Sequence, residues 1–121
     1  IASLFEAPVI TKPGEIHGVK NWRHPRLKRA MTSASERDSA RLDTLFGMQD
    51  DLFRNDVEDL HYAMARYVCQ WLDERGKLWP FYQRWRDTFA ADPTGEKAFL
   101  AVVGTTPAVA NAAWSKWALA L

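Results

Sequence analysis

Apart from its 15 carboxylates, the side chains able to bind a metal or move a proton near neutral pH are few: His17, His24, His61 and Cys69. His17 and His24 stand in a stretch without periodicity, and neither H-E-x-x-H nor C-x-x-C occurs anywhere. No complete zinc site of the familiar kinds can therefore be read from the chain. His61 lies on the apolar face of the strongest helical pattern, where a buried imidazole must find a partner for at least one nitrogen. A core histidine bonded to a backbone carbonyl and a functional group both satisfy that demand. Tyr62 falls on the flank of the same face, near Cys69, as either a rim residue or a hydroxyl aimed at a cleft. Cys69 has no sequence-adjacent activator and reads as a small packed hydrophobe. Being alone, it can form no internal disulfide.

Phosphate chemistry finds little support. The run "RHPRLKR" (23–29), preceded by Trp22, has the composition of a nucleic-acid contact or of a solvated helix face. Asp50, Asp51, Asp56, Glu58 and Asp59 offset it, and the net charge of +1 argues against a general polyanion binder. "DPTGEK" has one glycine and one lysine and lacks the rest of a phosphate-cradling loop. The expectation is no nucleic-acid partner. No apolar run approaches the roughly 20 residues that cross a bilayer, so no membrane partner is expected either.

These residues must be positioned by helices. Residues 8–24, "PVITKPGEIHGVKNWRH", contain two prolines and two glycines and read as an irregular crossing segment. Pro25 then suits the first turn of a helix in "PRLKRAMTSA". "SERDSA" (35–40) reads as a turn, and "RLDTLFGM" (41–48) as a short helix. In "VEDLHYAMARYVCQWLDERG", Val57, Leu60, His61, Met64, Val68, Trp71 and Leu72 recur at helical spacing. Asp59, Arg66, Gln70 and Asp73 fall opposite them. Asp56 is placed to cap this helix and Gly76 to stop it. Leu78, Phe81, Tyr82, Trp85 and Phe89 form the next stripe, with Pro80 confining the helix start to Leu78 or Trp79. A short helix capped by Asp92 or Thr94 should end at Gly104. Thr106 and Pro107 then open a helix that runs to the end. Six tryptophans among 121 residues point to an aromatic-heavy core or interface. The predicted fold is all-α, a bundle of about five or six helices. Residues 1–24 hold the end of an upstream helix plus the crossing segment, and 25–121 the helical subdomain.

Three pieces, "IASLFEAP", "HYAMARYVCQWLDERGKLWPFYQRWRD" and "AFLAVVGTTPAVANAAWSKWALAL", together resemble the C-terminal half of a gluzincin-type zinc metallopeptidase, of the thermolysin-like clan. In a poorly characterised branch of that clan, a Tyr-Ala-led helix ends at glycine. An aromatic helix, a short "A-F…-G" helix and a terminal helix closing on a W-x-x-W-like pattern follow it. The resemblance implies that the zinc, its two histidines, the general-base glutamate and the third ligand lie in an upstream half, and that this chain begins in mid-helix. If Glu-Gly preceded Ile1, Glu6 would be the second glutamate of that motif. Seven residues is almost two turns, so Glu6 would share a face with the third ligand and could orient it. The clan's helical wall commonly supplies a Tyr or His donor to the oxyanion, which makes Tyr62 the first candidate and His61 the second.

The expected role is thus one wall of a substrate cleft, in a chain that carries no metal motif and should not hydrolyse peptides alone. Its partners would be the N-terminal catalytic half and, through exposed apolar surface, a second copy of itself. The alternative is a stand-alone helical interaction module with a tryptophan-rich groove.

Overall fold

The structure is a computed structural model that describes residues 8–12, 15–18, 22–47 and 58–121. The described residues form an all-α bundle of six helices: α1 (His24–Thr32), α2 (Leu42–Phe46), α3 (Glu58–Glu74), α4 (Leu78–Thr88), α5 (Glu96–Val103) and α6 (Pro107–Leu119). One local difference concerns the segment read as irregular. Within it Pro8–Lys12 (β1) and Glu15–Gly18 (β2) pair antiparallel, with Val9 opposite His17 and an irregularity between Ile10 and Lys12. The prolines and glycines that argue against a helix here are compatible with two very short paired strands.

Helix α3 is the centre of the molecule. At 17 residues it is about 25 Å long, and α1, α2, α4, α6 and β2 all pack against it. From Leu60 on, its expected apolar stripe is buried, with Leu60, Met64 and Leu72 fully so, and Val57 lies outside the described residues. Tyr67, Arg66 and Gln70 are buried as well. The middle of the face that polarity assigns to solvent, Arg66 and Gln70, is therefore interior, while Asp59 at its start stays exposed, because a helix with neighbours on several sides has too little free surface for its whole polar half.

The helix ends have clear local causes. After α3, Lys77 N–H bonds Leu72 O at 2.8 Å and Gly76 N–H bonds Asp73 O at 3.0 Å, the paired bonds of a Schellman stop. Gly76 sits at φ 68°, where a side chain is disfavoured. Helix α4 starts at Leu78, which leaves Pro80 in the first turn. Thr106 accepts a hydrogen bond from Val109 N, with Pro107 as the first residue of α6. Asp56, proposed as the α3 cap, lies outside the described residues.

Aromatic rings knit the helices together. Phe46 of α2 meets Phe99 of α5 at 5.0 Å between centroids, and Phe81 of α4 stands edge-on to both. Trp71 of α3 stacks on Phe99 at 6.4 Å. From the other side, α6 inserts Trp114, which is fully buried. Such rings bury large areas and interact by edge and offset geometry, so few residues fill a core of this size.

Candidate functional site along the central helix

Two neighbours on α3 behave differently. His61 is 3% exposed and so lies within the packed interior. Tyr62, one residue on, is half-buried at the helix flank. The guanidinium of Arg23 stands 5.6 Å from the Tyr62 ring centroid and 5.8 Å from that of Trp22. The start of the "RHPRLKR" run thus becomes a cation held between two rings, at distances where cation–π attraction operates. The rest of the run divides by helical phase: His24 and Leu27 point inward, and Lys28 and Arg29 face solvent. Arg26 bonds Glu36 at 2.7 Å and Asp59 at 2.9 Å.

The bond expected of a core histidine occurs at His24. Its Nε2 lies 2.7 Å from Ala118 O, and its ring meets Tyr67 edge-on at 5.6 Å. Beneath it, Arg66 Nη1 donates to Gln70 Oε1 at 2.6 Å, and the guanidinium lies 4.6 Å from the Tyr67 centroid. Arg66, Tyr67, Gln70 and His24 therefore form a buried polar row beside the Tyr62 flank. Periodicity places Arg66 and Gln70, with Asp59 and Asp73, on the face opposite the apolar stripe. The signal it lacked was the burial of Arg66 and Gln70, which depends on how many elements surround α3.

Burial pushes the Cys69 thiol up, away from the reactive thiolate. Among the described residues no group of three His, Cys, Asp or Glu side chains is placed to hold a metal ion. The described residues therefore do not build a zinc site. No described helix is long and apolar enough to cross a membrane. Glu6 and the segment around it lie outside the described residues.

A second surface lies on α4. The stripe expected there divides: Leu78 and Phe81 are buried and Trp85 half-buried, whereas Tyr82 and Phe89 are 40% and 57% exposed, beside Trp79 at 50%. Tyr82, Trp85, Arg86 and Phe89 line an open recess of about 560 Å³. Trp85 anchors its floor by donating from Nε1 to Asp92 O at 2.8 Å.

Comparisons with family models, with curated proteins and with solved structures return no match.

Proposed function

We propose that this chain is the helical wall of the substrate cleft in a gluzincin-like zinc metallopeptidase, with the metal held by a preceding catalytic half. The observation that carries this reading is Tyr62. It is a half-buried tyrosine flanked on α3 by buried His61, Ala63 and Met64, beside the Arg23 guanidinium and next to a buried polar row. A donor to a developing oxyanion must be both held and reachable, and the half-buried position of Tyr62 beside Arg23 supports both conditions. His61, within the interior, does not meet the second. The order of elements also supports the reading: a Tyr-Ala helix stopped by Gly76, an aromatic helix, a short helix ending at Gly104 and a terminal helix with Trp114 and Trp117.

In that role the Tyr62 hydroxyl donates a hydrogen bond to the oxyanion of the tetrahedral intermediate, and Arg23 holds the ring in place. The first test is to read the coding region upstream of Ile1. An H-E-x-x-H followed by Glu-Gly supports the proposal, and an unrelated sequence ends it. On the longer polypeptide, Tyr62→Phe should lower kcat by about 10²-fold, the cost of losing one oxyanion donor, at unchanged zinc content. An unchanged kcat/KM would remove Tyr62 from the chemistry.

A second reading, a helical interaction module, is favoured by the exposed aromatic face of α4. It requires no upstream peptidase sequence, which is where the two readings part.

A further inference from the structure

Two contacts between α1 and α3 share one register. Arg26 Nε donates to Asp59 Oδ2 at 2.9 Å, and the Arg23 guanidinium stands 5.6 Å from the Tyr62 ring centroid. Arg23 lies three residues before Arg26, and Tyr62 three residues after Asp59. Arg23 immediately precedes α1 and already has helical backbone angles, φ −80° and ψ −15°. Three residues is just under one turn, so a step back along α1 matches a step forward along α3. Where the first contact is made decides where the second falls.

Arg26 is also held from another direction. Its Nη1 and Nη2 donate to the two carboxylate oxygens of Glu36, at 3.4 and 2.7 Å, in the forked geometry special to arginine. Glu36 belongs to the turn after α1, where Arg37 N–H bonds Ser33 O and Ala40 N–H bonds Glu36 O. Asp59 is engaged on both oxygens, Oδ1 accepting Leu60 N–H at 2.8 Å while Oδ2 takes Arg26. One guanidinium thus joins α1, the turn after it and the start of α3, one turn before Tyr62. The Arg26 side chain is 16% exposed and that of Asp59 62%. Ion pairs as open as the Asp59 one add little to stability. A planar fork bonded on two edges nevertheless fixes direction, which a lysine ammonium in its place would not.

We infer that Arg26 is a positioning residue: its two ion pairs set the register of α1 on α3 and thereby hold Arg23 against the Tyr62 ring. The consequence for catalysis rests on the reading of Tyr62 as an oxyanion donor, and the consequence for the Tyr62 ring does not. The fold should survive loss of Arg26, while the Arg23–Tyr62 contact should not.

The whole chain tests this by fluorine NMR. Tyr62, Tyr67 and Tyr82 are its three tyrosines, so fluorotyrosine labelling gives three resonances, assigned with single Tyr62→Phe, Tyr67→Phe and Tyr82→Phe variants. Arg23→Ala should move the Tyr62 resonance by removing the cation beside the ring. Arg26→Ala should move it in the same direction, with the Tyr82 resonance and the circular dichroism spectrum unchanged. Because Arg26 acts through Arg23, the double variant should shift Tyr62 no further than Arg23→Ala does. Asp59→Asn keeps an acceptor for Leu60 N–H and should give a smaller shift of the same sign, which also serves if Arg26→Ala fails to fold. A Tyr62 resonance indifferent to Arg26→Ala and Asp59→Asn overturns the inference, and so do Arg23 and Arg26 shifts that simply add. On the longer polypeptide, Arg26→Ala should lower kcat as much as Arg23→Ala does, at unchanged KM. A moved resonance with kcat indifferent to Arg26→Ala, Arg23→Ala and Tyr62→Phe alike would end the peptidase reading and leave the positioning role standing.

Discussion

Asp92 shows how much structure one buried side chain can hold. It is 4% exposed, and its carboxylate accepts Lys97 N–H at 3.2 Å and Ala98 N–H at 2.9 Å. Two orphan donors at the start of α5 are thereby satisfied by one residue several positions upstream of the helix. Its carbonyl also receives the Trp85 indole, so the same residue ties α4 to α5. Asp92→Ala should cost about 1–3 kcal/mol in urea denaturation, the scale of leaving buried donors unpaired. Asp92→Asn keeps one acceptor and should lose less. Among the aromatics, Trp71→Ala should cost about 3–5 kcal/mol. Trp85→Ala should cost less, because half-buried Trp85 leaves a smaller cavity behind. A Trp85 loss equal to that of Trp71 would mean that the Asp92 bond, and not burial, sets its contribution.

At the scale of elements, two glycines with similar backbones predict different outcomes. Gly76 has φ 68° and nothing within 4 Å of where a Cβ would stand. Gly95 has φ 81°, and a Cβ there would meet the Trp85 ring at 3.1 Å. Gly76→Ala should therefore cost about 1 kcal/mol of backbone strain alone. Gly95→Ala should cost more, since α5 must also move off the α4 aromatic. Equal losses in thermal unfolding would mean that Trp85 shifts freely.

Helix boundaries were largely legible in the sequence because their causes are local. Pro25, Pro80 and Pro107 each fix a first turn, Thr106 caps α6, and Gly76 and Gly104 end helices. Facing was less legible, because it depends on the number of neighbours an element has. Arg66 and Gln70 have the pattern of a solvent face and are buried, while Tyr82 and Phe89 have the pattern of a core stripe and are exposed. The β1–β2 pair is not legible in the sequence for another reason. Strands of five and four residues are too short for alternation to stand out from turn composition. For the candidate site, the rank order of Tyr62 over His61 came from position in a pattern. The physical difference between them, accessibility, is a property of the packed bundle.

The molecule as a whole responds to acid at identifiable points. Partial burial favours the neutral form of Asp59, but hydrogen bonds from Arg26 and from Leu60 N–H outweigh it, and the carboxyl ends below its ordinary range. A depressed folded value stabilises the fold above the unfolded carboxyl pKa, about 4. That contribution is lost as pH falls through the lower folded value. Asp59→Asn should accordingly flatten the acid limb of a stability–pH curve and leave its slope above pH ~5 unchanged. The effect should be small, because the carboxylate is largely exposed and screened. Cys69, buried and with its thiol pushed up, gives a complementary readout. It should resist alkylation in the native state and react at the rate of opening when denaturant is added. Rapid native labelling would mean that α3 opens locally.

Helix α6 supplies three contacts to elements far earlier in the chain. Asn111 Oδ1 accepts Leu42 N–H at 2.9 Å, Ala118 O meets His24 Nε2 at 2.7 Å, and Trp114 fills the interior between them. These partners are 69 and 94 residues apart in sequence. During synthesis, the N-terminus of α2 and the imidazole of α1 leave the ribosome well before the groups that satisfy them. Helices α1 to α5 can form locally as they emerge, but the core can close only after Ala118 is free of the exit tunnel. The bundle is therefore completed only once α6 has emerged, and a ribosome stalled before that point would hold a chain open to proteases and chaperones.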